Sequence, residues 1–411
     1  MRTPTEPTGV SKRFASPTPR ALAGAVLGLL VALAGCGGGS ETTANTGGNG
    51  AGASGAAGGN GGDGGDGGAG AGTVTSAGGA GGSSTSMGGS GGTTTGTTST
   101  IGSGAGGPAG SLCAQEPPPG APQPDPLPEY SGGACPDLVA GENTITSSGA
   151  SRKFLLVLPA DLTAAERPPV LFLWHWLGGS AEDFLEKGEI QAAVDEQRFV
   201  AVIPRAKGDQ NFQWPFDTTQ SEARMEEEYT FFDYMLACVA PLYNANRHCI
   251  GSAGVSAGAL FTDQLAAHRA HHISSFLSLS GGTGGVIRPW GKPDRKLPGL
   301  VLWGGPTDNC FGLLSFDTLS KTLEDDLTAE GNFFLECIHN CGHSEPPLDP
   351  PADGTSIYGA LWGFFLDHPY WLGGGESPYQ DSGLPANMPK WCDIGKGSAT
   401  PREGPCSGGG C

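Results

Sequence analysis

The chain has 411 residues, with 22 Lys+Arg against 41 Asp+Glu and a formal net charge of −19. An excess of that sign repels phosphate and argues against a nucleic-acid partner. Its 11 cysteines suit an exported chain better than one kept in a reducing cytosol.

Residues 1–35 read as an export signal. Arg2, Lys12, Arg13 and Arg20 form a basic start, and an uncharged Ala/Leu/Val/Gly run follows from Ala21 to Gly35. That run is too short for a comfortable membrane span. It ends Leu33-Ala34-Gly35-Cys36, which resembles the lipobox of bacterial lipoproteins and implies that Cys36 is a lipidated N-terminus. Gly37 after it implies, by the same analogy, transfer to the outer membrane or cell surface. An ordinary signal peptide with an incidental cysteine is the alternative.

Residues 36–112 are expected to be a disordered tether. After Cys36 they contain no Lys, Arg or aromatic residue, and they hold 32 of the 72 glycines, so they cannot bury enough apolar surface to offset chain entropy. As a flexible coil this stretch reaches on the order of 50 Å. The remainder, from Cys113, carries 18 basic and 37 acidic residues, the whole net charge. It is long enough for one large domain with a sizeable core.

Residues 113–151 form a segment containing proline and cysteine, and strands are then predicted at 152–159, 168–174 and 199–204. A helix is expected over 180–197, where Ser180 and Asp183 suggest a cap, and another over 221–240, with Glu226, Glu227 and Glu228 on its exposed face. Residues 248–253 read as a strand entering Gly254-Val255-Ser256-Ala257-Gly258, followed by a helix. Further strands are expected at 274–280, 300–304 and 332–338, with helices near 316–329 and 356–365. Residues 373–411 read as a stapled loop. Continuous apolar strands alternating with amphipathic helices imply an α/β fold, a mostly parallel sheet with helices on both faces. Ligands of such sheets sit beyond the carboxyl ends of the strands, where Ser256 emerges.

The cysteines show no zinc-site spacing, so no metal or cofactor is expected. Setting Cys36 aside, ten remain and suggest five disulfides. Short loops favour Cys113 with Cys135 and Cys238 with Cys249. Cys310 is expected to pair with Cys341 or Cys337, stapling two loops together.

Gly-x-Ser-x-Gly between strand and helix, then Gly304-Gly305-Pro306-Thr307-Asp308 and Cys341-Gly342-His343 behind later strands, resembles the α/β-hydrolase fold. More narrowly, residues 152–372 resemble the polyhydroxybutyrate depolymerase and feruloyl esterase family, helped by Leu173-Trp174-His175-Trp176-Leu177-Gly178-Gly179. Members carry His-Gly where this chain has His175-Trp176, so the backbone of that loop is expected to differ.

The resemblance implies a serine hydrolase acting on carboxylic esters. A serine hydroxyl needs an imidazole to take its proton, and the imidazole needs a carboxylate to fix its tautomer. Ser256 is the candidate nucleophile, His343 the base and Asp308 the orienting acid, in the order of this fold. Asp294 and Asp317 are weaker alternatives to Asp308, as are His339 and His368 to His343. The oxyanion donors are expected to be the N–H of Ala257 and that of Leu177 or Trp176. Trp176 and Trp214 are candidate substrate-binding aromatics, with the 211–217 loop carrying specificity. The expected partners are thus an ester, polymeric or small, and a membrane through the lipid anchor alone. A peptidase of the prolyl-oligopeptidase type shares fold and triad order but needs a propeller domain. A surface binding lipoprotein that lost activity is the non-enzyme alternative, favoured by the unusual Trp176.

Overall fold

The computed structural model describes residues 110–209, 213–350 and 356–406. The signal, Cys36, the tether up to residue 109, Asn211, Phe212 and Cys411 lie outside them; the end of the expected tether is ordered, with Ser111 buried and Leu112 opening a 3₁₀ turn. Among the described residues, no helix is long and apolar enough to cross a membrane.

Nine strands make one sheet. They are β1 (Gly141–Ser147), β2 (Ala150–Val157), β3 (Val170–Trp174), β4 (Val200–Pro204), β5 (Ile250–Val255), β6 (Ser275–Leu279), β7 (Gly299–Trp303), β10 (Phe334–Ile338) and β11 (Cys392–Ile394). Their order across the sheet is β1-β2-β4-β3-β5-β6-β7-β10-β11. The six from β4 to β10 run parallel, and antiparallel pairings flank them. Two short strands, β8 (Asn309–Cys310) and β9 (Leu314–Ser315), form a separate ribbon.

The parallel strands are predominantly apolar because both faces are covered; every residue of β3, β4, β6, β7 and β10 is buried. Period-two alternation sorts their side chains. Phe172 and Trp174 pack against Phe232 and Phe261 of helices α3 (Glu222–Leu242) and α4 (Ala257–His268), the face also covered by α5 (Phe316–Glu330). Leu171 and Leu173 face the opposite core, built by α1 (Ala181–Lys187), α2 (Ile190–Gln197) and α6 (Gly359–Leu366). A short α7 (Tyr379–Ser382) closes the set. Because β3 and β4 lie to one side of β5 and the later strands to the other, chain direction across the sheet reverses at β3/β5. A crevice opens at such a point, beyond the carboxyl ends of those two strands.

Several expectations change. The helix predicted over 180–197 is two helices, since Gly188 ends α1 and Glu189 takes φ +50. Ser180 caps α1 as expected, accepting from the Asp183 N–H at 3.1 Å. The sheet is one strand wider at each side: β1 arises within 113–151, and β11 within the segment read as a loop. Glu228 is not on an exposed face but fully buried, held by Arg152 and Arg224, each at 2.8 Å. A buried carboxylate persists only when paired in this way.

The disulfide expectation is also corrected. Cys113 bonds Cys249, Cys135 bonds Cys238, Cys337 bonds Cys392 and Cys341 bonds Cys406. Cys310 is disulfide-bonded as well, but to neither Cys341 nor Cys337. Short-loop pairing fails because the sheet brings distant segments together: Cys113 packs beside the start of β5, and the terminal segment is stapled along β10 and the loop after it.

Candidate active site

β5 delivers Ser256 at its carboxyl end, and α4 begins at the next residue. Ser256 adopts φ +54 and ψ −117, a conformation in which non-glycine residues are strained, as a nucleophile elbow requires. Two glycines make the turn possible. A Cβ at Gly254 would lie 2.1 Å from the Gly258 carbonyl oxygen, and one at Gly258 would lie 1.9 Å from that of Trp174. Strand, turn and helix therefore touch at van der Waals limits, and the end of β3 rests on the first turn of α4.

Asp308 follows β7 after a single 3₁₀ turn and is fully buried. Its two oxygens have separate partners. Oδ2 accepts the Gly304 N–H at 2.7 Å and the Ser280 hydroxyl at 2.8 Å. Oδ1 faces His343 Nδ1 at 2.7 Å. With Nδ1–H donated to that carboxylate, Nε2 is left to accept, and it meets the Ser256 hydroxyl at 2.9 Å. The Phe316 ring stacks on the imidazole, centroids 4.3 Å apart. The loop bearing His343 is fixed by the Gly342 N–H donating to Gly304 O at 2.8 Å, with Gly342 at φ +67.

The alternatives to these residues fall elsewhere. Asp317 accepts from the Trp303 indole. His368 is buried between the Phe364 carbonyl and the Ser377 hydroxyl. His339 is fully buried, and neither ring nitrogen has a protein partner among the described residues. Burial pushes both histidines down to about 4, which leaves them neutral.

As the first residue of α4, Ala257 has a backbone N–H with no intrahelical acceptor, at the positive end of the helix dipole. The loop 175–179 lies beside it. His175 is buried and held below its ordinary pKa by that burial; its Nδ1–H donates to Trp176 O at 3.1 Å. The Gly179 N–H donates to the same carbonyl at 3.1 Å. Trp176 turns its indole back over its own loop, where a Cβ at Gly179 would come within 2.6 Å of the ring, and Lys187 Nζ sits 5.2 Å from the ring centroid.

Trp214 does not line a cleft. It is wholly buried, packed edge-on against Trp174 and stacked on Phe261, and its Nε1–H donates to His175 O at 2.8 Å. The substrate-binding expectation for Trp214 is therefore corrected to a brace beneath the loop. An indole so deep in the core needs an acceptor for its N–H, and the carbonyl of His175 is the one in reach.

Ser280 and Phe316 were missed from sequence, and Gly304 was read only as part of the motif before Asp308. The Ser280-Gly281-Gly282 step after β6 is the one local signal for Ser280, and Phe316 has none.

No protein-family model and no curated protein matches the sequence. Solved structures do match in shape. One described as "Crystal Structure of sOPH Native" aligns at TM-score 0.53 and 18% identity, over 66% of this chain and 99% of that one. "Crystal Structure of pOPH Native" aligns at TM-score 0.52 and 16% identity, over 64% and 97%. A CE1 ferulic acid esterase from Anaeromyces mucronatus overlaps at TM-score 0.39 and 14% identity, over 56% and 90%. Sheet order, the crossover at β3/β5, the serine turn between β5 and α4 and the first two matches agree: the chain has the α/β-hydrolase fold.

Proposed function

We propose that the chain is an exported serine hydrolase that cleaves carboxylic esters through an acyl-enzyme. The unbroken relay from Asp308 through His343 to Ser256, at 2.7 Å and 2.9 Å, carries this reading. Ser256 Oγ attacks the ester carbonyl while its proton passes to His343 Nε2, and the buried Asp308 carboxylate stabilises the imidazolium. The oxyanion is met by the Ala257 N–H and by that of Leu177 or Trp176. His343 then returns the proton to the departing alkoxide, releasing the alcohol. Water, deprotonated by the same nitrogen, attacks the acyl-serine and frees the acid.

Trp176, the feature that favoured an inactive binding lipoprotein, folds onto Gly179, which leaves the relay intact. The β8–β9 ribbon following Asp308 is uncharged and exposes Phe311 and Leu313, and an apolar surface beside the acid loop suits apolar, uncharged esters. The disulfides support export. We also propose that Cys36 is lipidated and that residues 36–112 tether residues 113–411 to the cell surface. Mass measurement of the mature N-terminus tests this, and an unmodified Cys36 rejects it.

The hydrolase reading is tested with the exported chain and p-nitrophenyl butyrate. Turnover is expected in wild type and not in Ser256→Ala, with a fluorophosphonate labelling Ser256. Failure of wild type to hydrolyse any aryl, sugar or hydroxyalkanoate ester, with no labelling, rejects it.

A further inference from the structure

Helix α4 carries a buried carboxyl that the reaction does not use. Asp263, seven residues after Ser256, is fully buried. Its Oδ2 accepts the Ser278 hydroxyl at 3.0 Å and the Gly282 N–H at 2.7 Å. Its Oδ1 has no protein partner among the described residues. These donors flank Ser280, whose hydroxyl donates to Asp308 Oδ2.

Ser280 does not hold its position cheaply. It sits at φ +53, in the left-handed region that costs a non-glycine residue roughly 1–2 kcal/mol. Such a conformation persists only where its surroundings enforce it. Here residues two before and two after Ser280 are tied to one carboxylate oxygen. The space between is filled: a Cβ at Gly281 would come within 2.2 Å of Ser278 Oγ and 2.9 Å of Asp263 Oδ2.

We propose that Asp263 is a positioning residue of the catalytic relay, clamping residues 278–282 so that the Ser280 hydroxyl meets the Asp308 oxygen that His343 does not use. With Ser280 and Gly304 both on Oδ2, the carboxylate plane is set and Oδ1 is aimed at Nδ1. The proposal rests on the hydrolase reading for its kinetic test. Burial pushes the Asp263 carboxyl up to about 7, so near neutrality a proton can occupy Oδ1 while Oδ2 keeps both bonds. An asparagine oriented alike presents the same acceptor.

The test is a mutant cycle in the exported chain, read with p-nitrophenyl butyrate and with the low-field proton resonance of His343 Nδ1–H. Asp263→Leu and Ser280→Ala are each expected to lower kcat about tenfold with KM unchanged, because small misplacements in a relay are costly. The double variant should fall no further, since both act through one hydrogen bond. Asp263→Asn should recover most of the loss, and the resonance should shift in Asp263→Leu and Ser280→Ala alike. Additive losses, a change confined to KM, or Asp263→Asn as damaged as Asp263→Leu would overturn the proposal. If Asp263→Leu does not fold, Ser278→Ala removes half the clamp and takes its place in the cycle, where additivity with Ser280→Ala is equally fatal. Wild-type inactivity on every ester would instead reject the hydrolase reading, while an unshifted resonance in the variants rejects the clamp alone.

Discussion

The indole N–H of Trp214 donates to the carbonyl of His175 at 2.8 Å, so a side chain from one loop fixes the backbone of another immediately before Trp176 and Leu177. Trp214→Phe keeps the ring's bulk in part and deletes the donor. It leaves a buried carbonyl unpaired, which costs about 1–3 kcal/mol. Thermal unfolding should register that loss, and kcat should drop several-fold more than KM changes as the loop carrying Trp176 and Leu177, the proposed source of an oxyanion donor, loosens. Unchanged kcat in a destabilised Trp214→Phe would show that the brace serves the fold alone.

Gly304→Ala should damage catalysis by displacing the loop that carries His343. The added Cβ would lie 1.8 Å from the Gly342 carbonyl oxygen, so the loop carrying His343 has to move. A displacement of about 1 Å there is enough for roughly a hundredfold loss of kcat. Kinetics of the folded variant decide this, and wild-type kcat would mean the two loops separate without disturbing the imidazole.

The Cys341–Cys406 bond ties the residue two before His343 to the terminal segment, across 65 positions. Cys341→Ser with Cys406→Ser should lower stability by about 2–4 kcal/mol. Because Gly342 remains bonded to Gly304, kcat at low temperature should change less than the temperature at which activity is lost. Calorimetry beside residual-activity curves tests both halves.

Glu324 on α5 is fully buried and neither carboxyl oxygen has a protein partner among the described residues. Burial, then the neighbouring Glu336 charge, pushes its pKa up to about 8, against about 4.3 in an unfolded chain. The folded state therefore holds a proton that the unfolded state releases between those values. Stability is penalised increasingly as pH rises through that window, and fully above it. Glu324→Gln should gain stability relative to wild type as pH rises from about 4.3 to 8, measured by denaturant titration. A pH-independent difference would contradict the assignment.

Long, buried elements were legible because their patterns are local. The parallel strands are largely apolar and buried, and the Ser256 turn, Asp308 and His343 stand behind such strands. What stayed hidden depends on tertiary contact. β1 reads as polar because only alternate residues, Asn143, Ile145 and Ser147, are buried. The three residues of β11 carry too short a pattern to register. Trp214 looked like a cleft residue because sequence does not reveal which carbonyl an indole meets. Glu228 looked exposed because its partner Arg152 lies 76 positions away.

The central claim is that Ser256 carries the acyl group during turnover, and trapping that species tests it most directly. The exported chain is mixed with p-nitrophenyl butyrate, quenched in acid within the first turnovers and digested for mass spectrometry. The account predicts a butyryl group on the peptide containing Ser256, and its loss in His343→Ala, which lacks the base for acylation. Turnover with Ser256 unmodified, or turnover that persists in Ser256→Ala, would contradict it.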